Sequence, residues 1–144
     1  MTLPDHELSI PNQIVEQMLF HARRENPLEC CGLLGGIGHE ARSIYMLENE
    51  AHSPIEFLST IGLIRPFIQM RERGEELLAI YHSHPSSAAV PSLTDCERNY
   101  YPDTIHLIIS LAGEIPVIRA FRLGQGGFVE VAWTQRVDRA ATPK

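Results

Sequence analysis

Apolar residues at Ile14, Met18 and Ala22 recur at helical spacing, with Val15 and Leu19 beside them. That stripe predicts an amphipathic helix. Ser9 is placed to cap it, Pro11 suits its first turn, and Pro27 ends it by pushing Asn26 out of helical geometry. Residues 30–34 are short and apolar and lead into Gly35-Gly36-Ile37-Gly38; residues 42–47 resume as a strand, so the glycines predict a hairpin turn. Segment 49–58, with Pro54 inside it, reads as irregular. Ile61, Ile64 and Ile68 predict a second helix over 60–73 that stops at Gly74 and that starts late or kinks at Pro66.

Residues 77–81 form a buried-type strand that runs into His82-Ser83-His84-Pro85. A small, polar loop over 86–91 follows, then a short helix opening at Ser92-Leu93-Thr94-Asp95 and ending before Pro102. Three further strands are expected over 104–111, 117–123 and 128–134, with turns at Gly113 and at Gly124-Gln125-Gly126-Gly127. From Gln135 the polar chain predicts a frayed tail over 135–144. No repeat or linker interrupts the pattern. It predicts one α/β (α+β) domain over 1–134, a single sheet with helices packed on it.

Composition narrows the function classes. The 144 residues carry 12 Lys and Arg against 18 Asp and Glu, a net charge of −6, which argues against a basic nucleic-acid footprint. No apolar run approaches the ~20 residues of a membrane span. The N-terminus lacks a basic stretch leading into an apolar one, so no secretory leader is expected. Three cysteines, two of them adjacent at Cys30 and Cys31, make a poor disulfide framework and point to reduced thiols in a cytoplasmic protein.

Among the seven histidines, His82 and His84 stand apart. One residue separates them at a strand end, so alternation turns both imidazoles to one face and Tyr81 and Ser83 to the other. Asp95 follows eleven residues after His84, on a loop long enough to return to it. Two histidines and a carboxylate are the protein ligands of a catalytic zinc, with the fourth position left for water. Ser92 and Asp95 also read as a helix cap and its partner. Related chemistries fit less well. There is no His-x-Glu with a later Pro-Cys-x-x-Cys, no HExxH, and no acid a few residues after His84 where a cupin barrel would need one. His6, His21, His39 and His52 lie in polar or loop settings and are expected to be exposed, whereas His106 reads as a sheet residue.

These motifs resemble the JAMM family, also called the MPN-plus or JAB domain, of zinc-dependent isopeptidases. Its pattern is an upstream Glu in a strand, then His-Ser/Thr-His-Pro and a spaced Ser-x-x-Asp. Here it is met by Glu29 within Pro27-Leu28-Glu29-Cys30-Cys31-Gly32-Leu33-Leu34-Gly35, by His82-Ser83-His84-Pro85 and by Ser92-Leu93-Thr94-Asp95. The resemblance runs from about residue 8 to residue 133. It implies a curved mixed sheet flanked by helices, of the cytidine-deaminase-like JAMM/MPN kind. It implies one zinc held by His82, His84 and Asp95, with Glu29 as general base and Ser92 stabilising the tetrahedral intermediate.

Family members that cut ubiquitin generally carry extra gripping segments, and only 49 residues follow Asp95 here. The chain is similar to the compact, stand-alone prokaryotic type. That implies a peptidase acting at the C-terminal Gly-Gly tail of a small ubiquitin-like sulfur-carrier protein, with no nucleic-acid or membrane partner. The alternatives are an isopeptidase removing ubiquitin-like conjugates from proteins and a non-catalytic MPN scaffold.

Overall fold

A computed structural model describes residues 7–49, 63–97, 104–124 and 127–137. In chain order the elements are β1 (Leu8–Pro11), α1 (Asn12–Glu25), β2 (Cys31–Ile37), β3 (Glu40–Leu47), α2 (Ile64–Glu72), β4 (Glu76–His84), α3 (Leu93–Glu97), β5 (Ile105–Ser110), β6 (Val117–Gly124), β7 (Gly127–Val131) and β8 (Trp133–Arg136). They form one mixed sheet of eight strands in the order β7-β6-β5-β4-β2-β3-β1-β8.

The two ends of that order are β7 and β8, yet only Ala132 separates them along the chain. The sheet must therefore curl until its edges meet. Three contacts lie along this seam: Glu7 N–H donates to the Ala132 carbonyl at 2.8 Å, Trp133 Nε1 to the Ile118 carbonyl at 3.1 Å, and Arg122 pairs with Glu7 at 2.9 Å. The expected single strand over 128–134 is thus two strands, each serving a different edge. Gln135 and Arg136, expected in a frayed tail, are paired in β8 with Ile10 and Pro11.

α1 packs on one sheet face, over a core that includes Ile10, Met18, Leu34, Tyr81, Leu107 and Ile109. On the other face α2 covers Cys31, Leu33, Tyr45, Leu47 and Ile80, and beside α3 lies a third cluster of Ala89, Ile108, Phe121 and Leu123. His82 pairs with Cys31 on one side and Ile108 on the other, so it stands in the row between these two clusters. Gly32 has no side chain for a physical reason: a Cβ there would run into the ring of Tyr81 on the adjacent strand.

Several local expectations change in three dimensions. Pro11 caps α1 without a side-chain bond, and Ser9 sits inside β1, where its hydroxyl accepts from Arg136 at 3.0 Å. The 30–47 hairpin forms, but β2 continues through Gly35 and Gly36, and the turn falls at Gly38, whose φ is +63°. α2 starts late, with Pro66 in its first turn. Its sheet-facing row is Leu63, Pro66, Phe67 and Met70, while Ile64 and Ile68, 67% and 52% exposed, face outward. Ile61, Pro54, His6 and His52 lie outside the described residues. Among the described residues no helix is long and apolar enough to cross a membrane.

His21 is a further correction. It is fully buried on α1, and its Nδ1 shares a 2.7 Å hydrogen bond with the Tyr81 hydroxyl. Burial first, then the nearby Arg24 charge, push its pKa down to about 4 against the opposing pull of Glu25. His39 is exposed and His106 is buried in the sheet, as expected.

Candidate metal centre

β4 ends at His84, and the alternation of its side chains sets His82 and His84 on one face. The loop after Pro85 returns the chain to α3, and Asp95 in the first turn of that helix comes back against both rings. His82 Nε2, His84 Nε2 and Asp95 Oδ2 form a triangle with all three edges at 3.2 Å. All three residues are buried, and among the described residues this is the cluster of three such groups able to hold a metal ion.

The donor set fits a zinc ion. Ligand atoms about 2.0–2.1 Å from a tetrahedral metal stand roughly 3.3 Å from one another, close to the observed triangle. His84 Nδ1 lies 2.8 Å from the Ala88 carbonyl. A carbonyl can only accept, so Nδ1 carries a proton, and Nε2 is the nitrogen that would give its lone pair to a metal on losing the proton it shares with Asp95. That carbonyl had no signal in the sequence, because any residue at position 88 supplies one.

Asp95 is tied to Ser92 twice. Ser92 N–H donates to Asp95 Oδ2 at 2.8 Å, and Asp95 N–H donates to Ser92 Oγ at 3.0 Å. The expected helix cap is therefore present, and Ser92 keeps its own hydroxyl proton for another acceptor. Burial works to raise the Asp95 pKa, but hydrogen bonds to both histidines and the Ser92 amide hold it well below the usual carboxylate range. Burial pushes His82 down despite Asp95. Burial also opposes charge on His84, but Asp95, the Ala88 carbonyl and the Glu29 charge together bring it above its ordinary value.

Glu29 lies just before β2 and is 2% exposed. Cys31 pairs with His82 at the end of the antiparallel ladder, so Glu29, two residues before Cys31, lies toward His84, on which its charge acts. Its backbone carbonyl accepts from Asn49 Nδ2 at 2.9 Å. The fold therefore gathers His82 and His84 from β4, Asp95 from α3, and Glu29 and Ser92 from the segments that lead into β2 and α3. Cys31 is buried beside His82, and its Sγ lies 3.8 Å from the Glu48 carbonyl.

Residues 11–124 match the family of prokaryotic homologues of the JAB domain. A Mycobacterium tuberculosis protein named CysO-cysteine peptidase is 30% identical over 127 residues, covering 85% of this chain and 87% of its own. A Haloferax volcanii desampylase is 31% identical, with 75% and 84% covered. A Thermus thermophilus protein, a probable TtuB-protein conjugate cleaving protease, is 31% identical, with 83% and 78% covered. Among solved structures, a Desulfitobacterium hafniense protein superposes with a TM-score of 0.79 at 31% identity over 95% of this chain and 99% of that one. A JAB1/MPN domain protein from Archaeoglobus fulgidus shares the fold, with a TM-score of 0.58 at 21% identity over 89% and 100%.

Proposed function

The chain belongs to the family of prokaryotic JAB-domain proteins, and from that premise we propose that it is a zinc-dependent peptidase. Its substrate on this reading is the C-terminal Gly-Gly tail of a small ubiquitin-like sulfur-carrier protein, cut at the amide bond that follows the last glycine. The observation that carries the reading is the buried triangle of His82, His84 and Asp95, with the buried Glu29 near enough for its charge to act on His84. His82 Nε2, His84 Nε2 and Asp95 Oδ2 are the atoms that would hold the metal. Zinc bound there supplies Lewis acidity to the scissile carbonyl and lowers the pKa of water to about 7.

The remaining work falls to the chain itself. A Glu29 carboxylate oxygen takes a proton from the attacking water and delivers it to the leaving amine. Glu29 is outside the ligand triangle, so the metal would not occupy its carboxylate. The Ser92 hydroxyl, whose oxygen already accepts the Asp95 N–H, donates a hydrogen bond to the carbonyl oxygen as negative charge builds there. The amide is hydrolysed to a C-terminal carboxylate on the carrier and a free amine on the departing group.

Relatives' names support the substrate class. One specifies a cysteine as one side of the bond, another a protein conjugate. The two readings share the carrier tail and differ in the amine released: the α-amine of a single residue in the first, a protein's amine in the second. The desampylase and conjugate-cleaving relatives favour keeping the second as the alternative. In either case a flexible tail can lie extended with its backbone paired to a strand edge, and glycines let the carbonyl approach the metal.

The test is cleavage by the zinc-loaded enzyme of ubiquitin-like carriers from its own genome, extended beyond Gly-Gly by one cysteine or joined to a lysine. Cleavage of the cysteine-extended carrier is expected. A bulky residue in place of the last glycine should abolish it, and changes on the folded carrier surface should not. An enzyme that ignores these carriers and readily cuts ordinary peptides would overturn the assignment.

A further inference from the structure

We propose that Ser83 and Asn49 are positioning residues for Glu29, acting through the peptide group that joins Glu29 to Cys30. The inference rests on the reading of Glu29 as general base. Both polar ends of that peptide are held by side chains. Asn49 Nδ2 donates to its carbonyl at 2.9 Å, and its N–H donates to Ser83 Oγ at 2.8 Å. The two side chains come from opposite sides: Ser83 from β4, and Asn49 from the chain just beyond β3. β2 lies between those strands in the sheet.

The register shows why this is unusual. Cys31 pairs with His82, so Cys30 stands opposite Ser83. In an antiparallel hydrogen-bonded pair the two residues exchange two backbone bonds. One of them is present, from Ser83 N–H to the Cys30 carbonyl at 3.1 Å. The other goes to the Ser83 hydroxyl instead of its carbonyl. At the last rung before Glu29, a side chain thus replaces one half of the ladder.

Burial makes the arrangement rigid. Ser83, Asn49 and Glu29 are all buried, so no solvent stands ready to replace either bond. Alternation points Ser83 away from the face of His82 and His84. It therefore lies between two metal ligands without joining them, and fixes the backbone of the base that works beside them. Geometry at this level matters to rate, because a displacement of about 1 Å at a reacting group can cost roughly 10²-fold.

Ser83→Ala and Asn49→Ala should each bind zinc at the wild-type stoichiometry. Each should lower kcat about 10–100-fold with KM changed by less than about twofold. In a Glu29→Gln background neither should lower the residual single-turnover rate further, since the group being positioned is already gone. A purely structural role would still lower it. Ser83→Thr keeps the hydroxyl and should keep the rate. In the metal-free protein, Ser83→Ala should speed amide exchange at Cys30 about tenfold or more and leave Leu33 and Ile80 unchanged. If Ser83→Ala fails to fold, Asn49→Ala carries the same cycle.

Wild-type kcat in both variants, unchanged exchange at Cys30, or losses that multiply with Glu29→Gln would overturn the proposal. A Glu29→Gln variant that retains full activity would instead overturn the assignment of the base itself. That single variant separates the two failures.

Discussion

Ser92 supports its neighbour Asp95 through a backbone N–H that any residue at position 92 would supply, except proline. Its hydroxyl has a separate role available. Ser92→Ala should therefore keep zinc while losing about 10²-fold in rate, with about 1 kcal/mol of cap stability lost as well. Glu29→Gln should also keep zinc and lose about 10²–10⁴-fold. Replacing both His82 and His84 by Ala should instead remove the metal, which is expected at one zinc per chain. Metal analysis beside a cleavage assay separates these outcomes. Zinc lost with Glu29→Gln would make Glu29 a ligand, and zinc kept without both histidines would place the metal elsewhere.

At the scale of elements, α1 and β4 are joined by the buried pair of His21 and Tyr81. His21 titrates near 4 in the folded protein against an ordinary value of 6.5. Between those values the unfolded chain binds more protons than the folded one, so stability is fully present above pH 6.5 and declines as pH falls toward 4. His106, also lowered to about 4 chiefly by burial, acts in the same direction. Melting temperatures of the metal-free protein should therefore fall across this window. Changing His21→Leu together with Tyr81→Phe, which removes both polar partners, should make the decline shallower without abolishing it. An unchanged slope would show that His21 is already charged in the folded state.

The same pair shows where the sequence stops being informative. The ligand spacing was legible because strand alternation and a short loop are local properties: His82, His84 and Asp95 lie within one strand, one loop and one helical turn. Glu29 was legible only through its resemblance to a family pattern, since nothing near it in the chain marks it out. The burial of His21 could not be read, because its partner lies sixty residues away on another strand. α2 shows a different limit. Apolar residues fill more than one of its faces, so periodicity alone could not favour Leu63, Phe67 and Met70 over Ile64 and Ile68. The sheet beneath decides it.

Closure of the sheet is a property of the whole molecule, and Arg136 secures β8, one of the two edges that meet there, to the strands behind it. Arg136 Nη1 donates to the Ser9 carbonyl at 2.8 Å and to Ser9 Oγ at 3.0 Å, and Nη2 donates to the Ala41 carbonyl at 2.6 Å. One guanidinium thereby ties β8 to β1 and to β3 beyond it. Hydrogen bonds from a charged donor contribute about 1.5–3 kcal/mol net, and Ala41 is fully buried, leaving its carbonyl no solvent to turn to. Arg136→Ala should therefore lower the melting temperature by roughly 5 °C or more. A chain ending at Thr134 should lose at least as much, because it also gives up the pairing of Gln135 and Arg136 with Ile10 and Pro11. Three strands, β2, β3 and β1, separate β8 from the β4 strand that carries the histidines, so both variants should still take up one zinc while folded. Calorimetry with metal analysis on the same samples reads both quantities. An unchanged melting temperature after truncation would show that the seam is held by β7 and Trp133 alone. Loss of zinc in the folded truncated chain would show instead that closure reaches across the sheet to the metal centre.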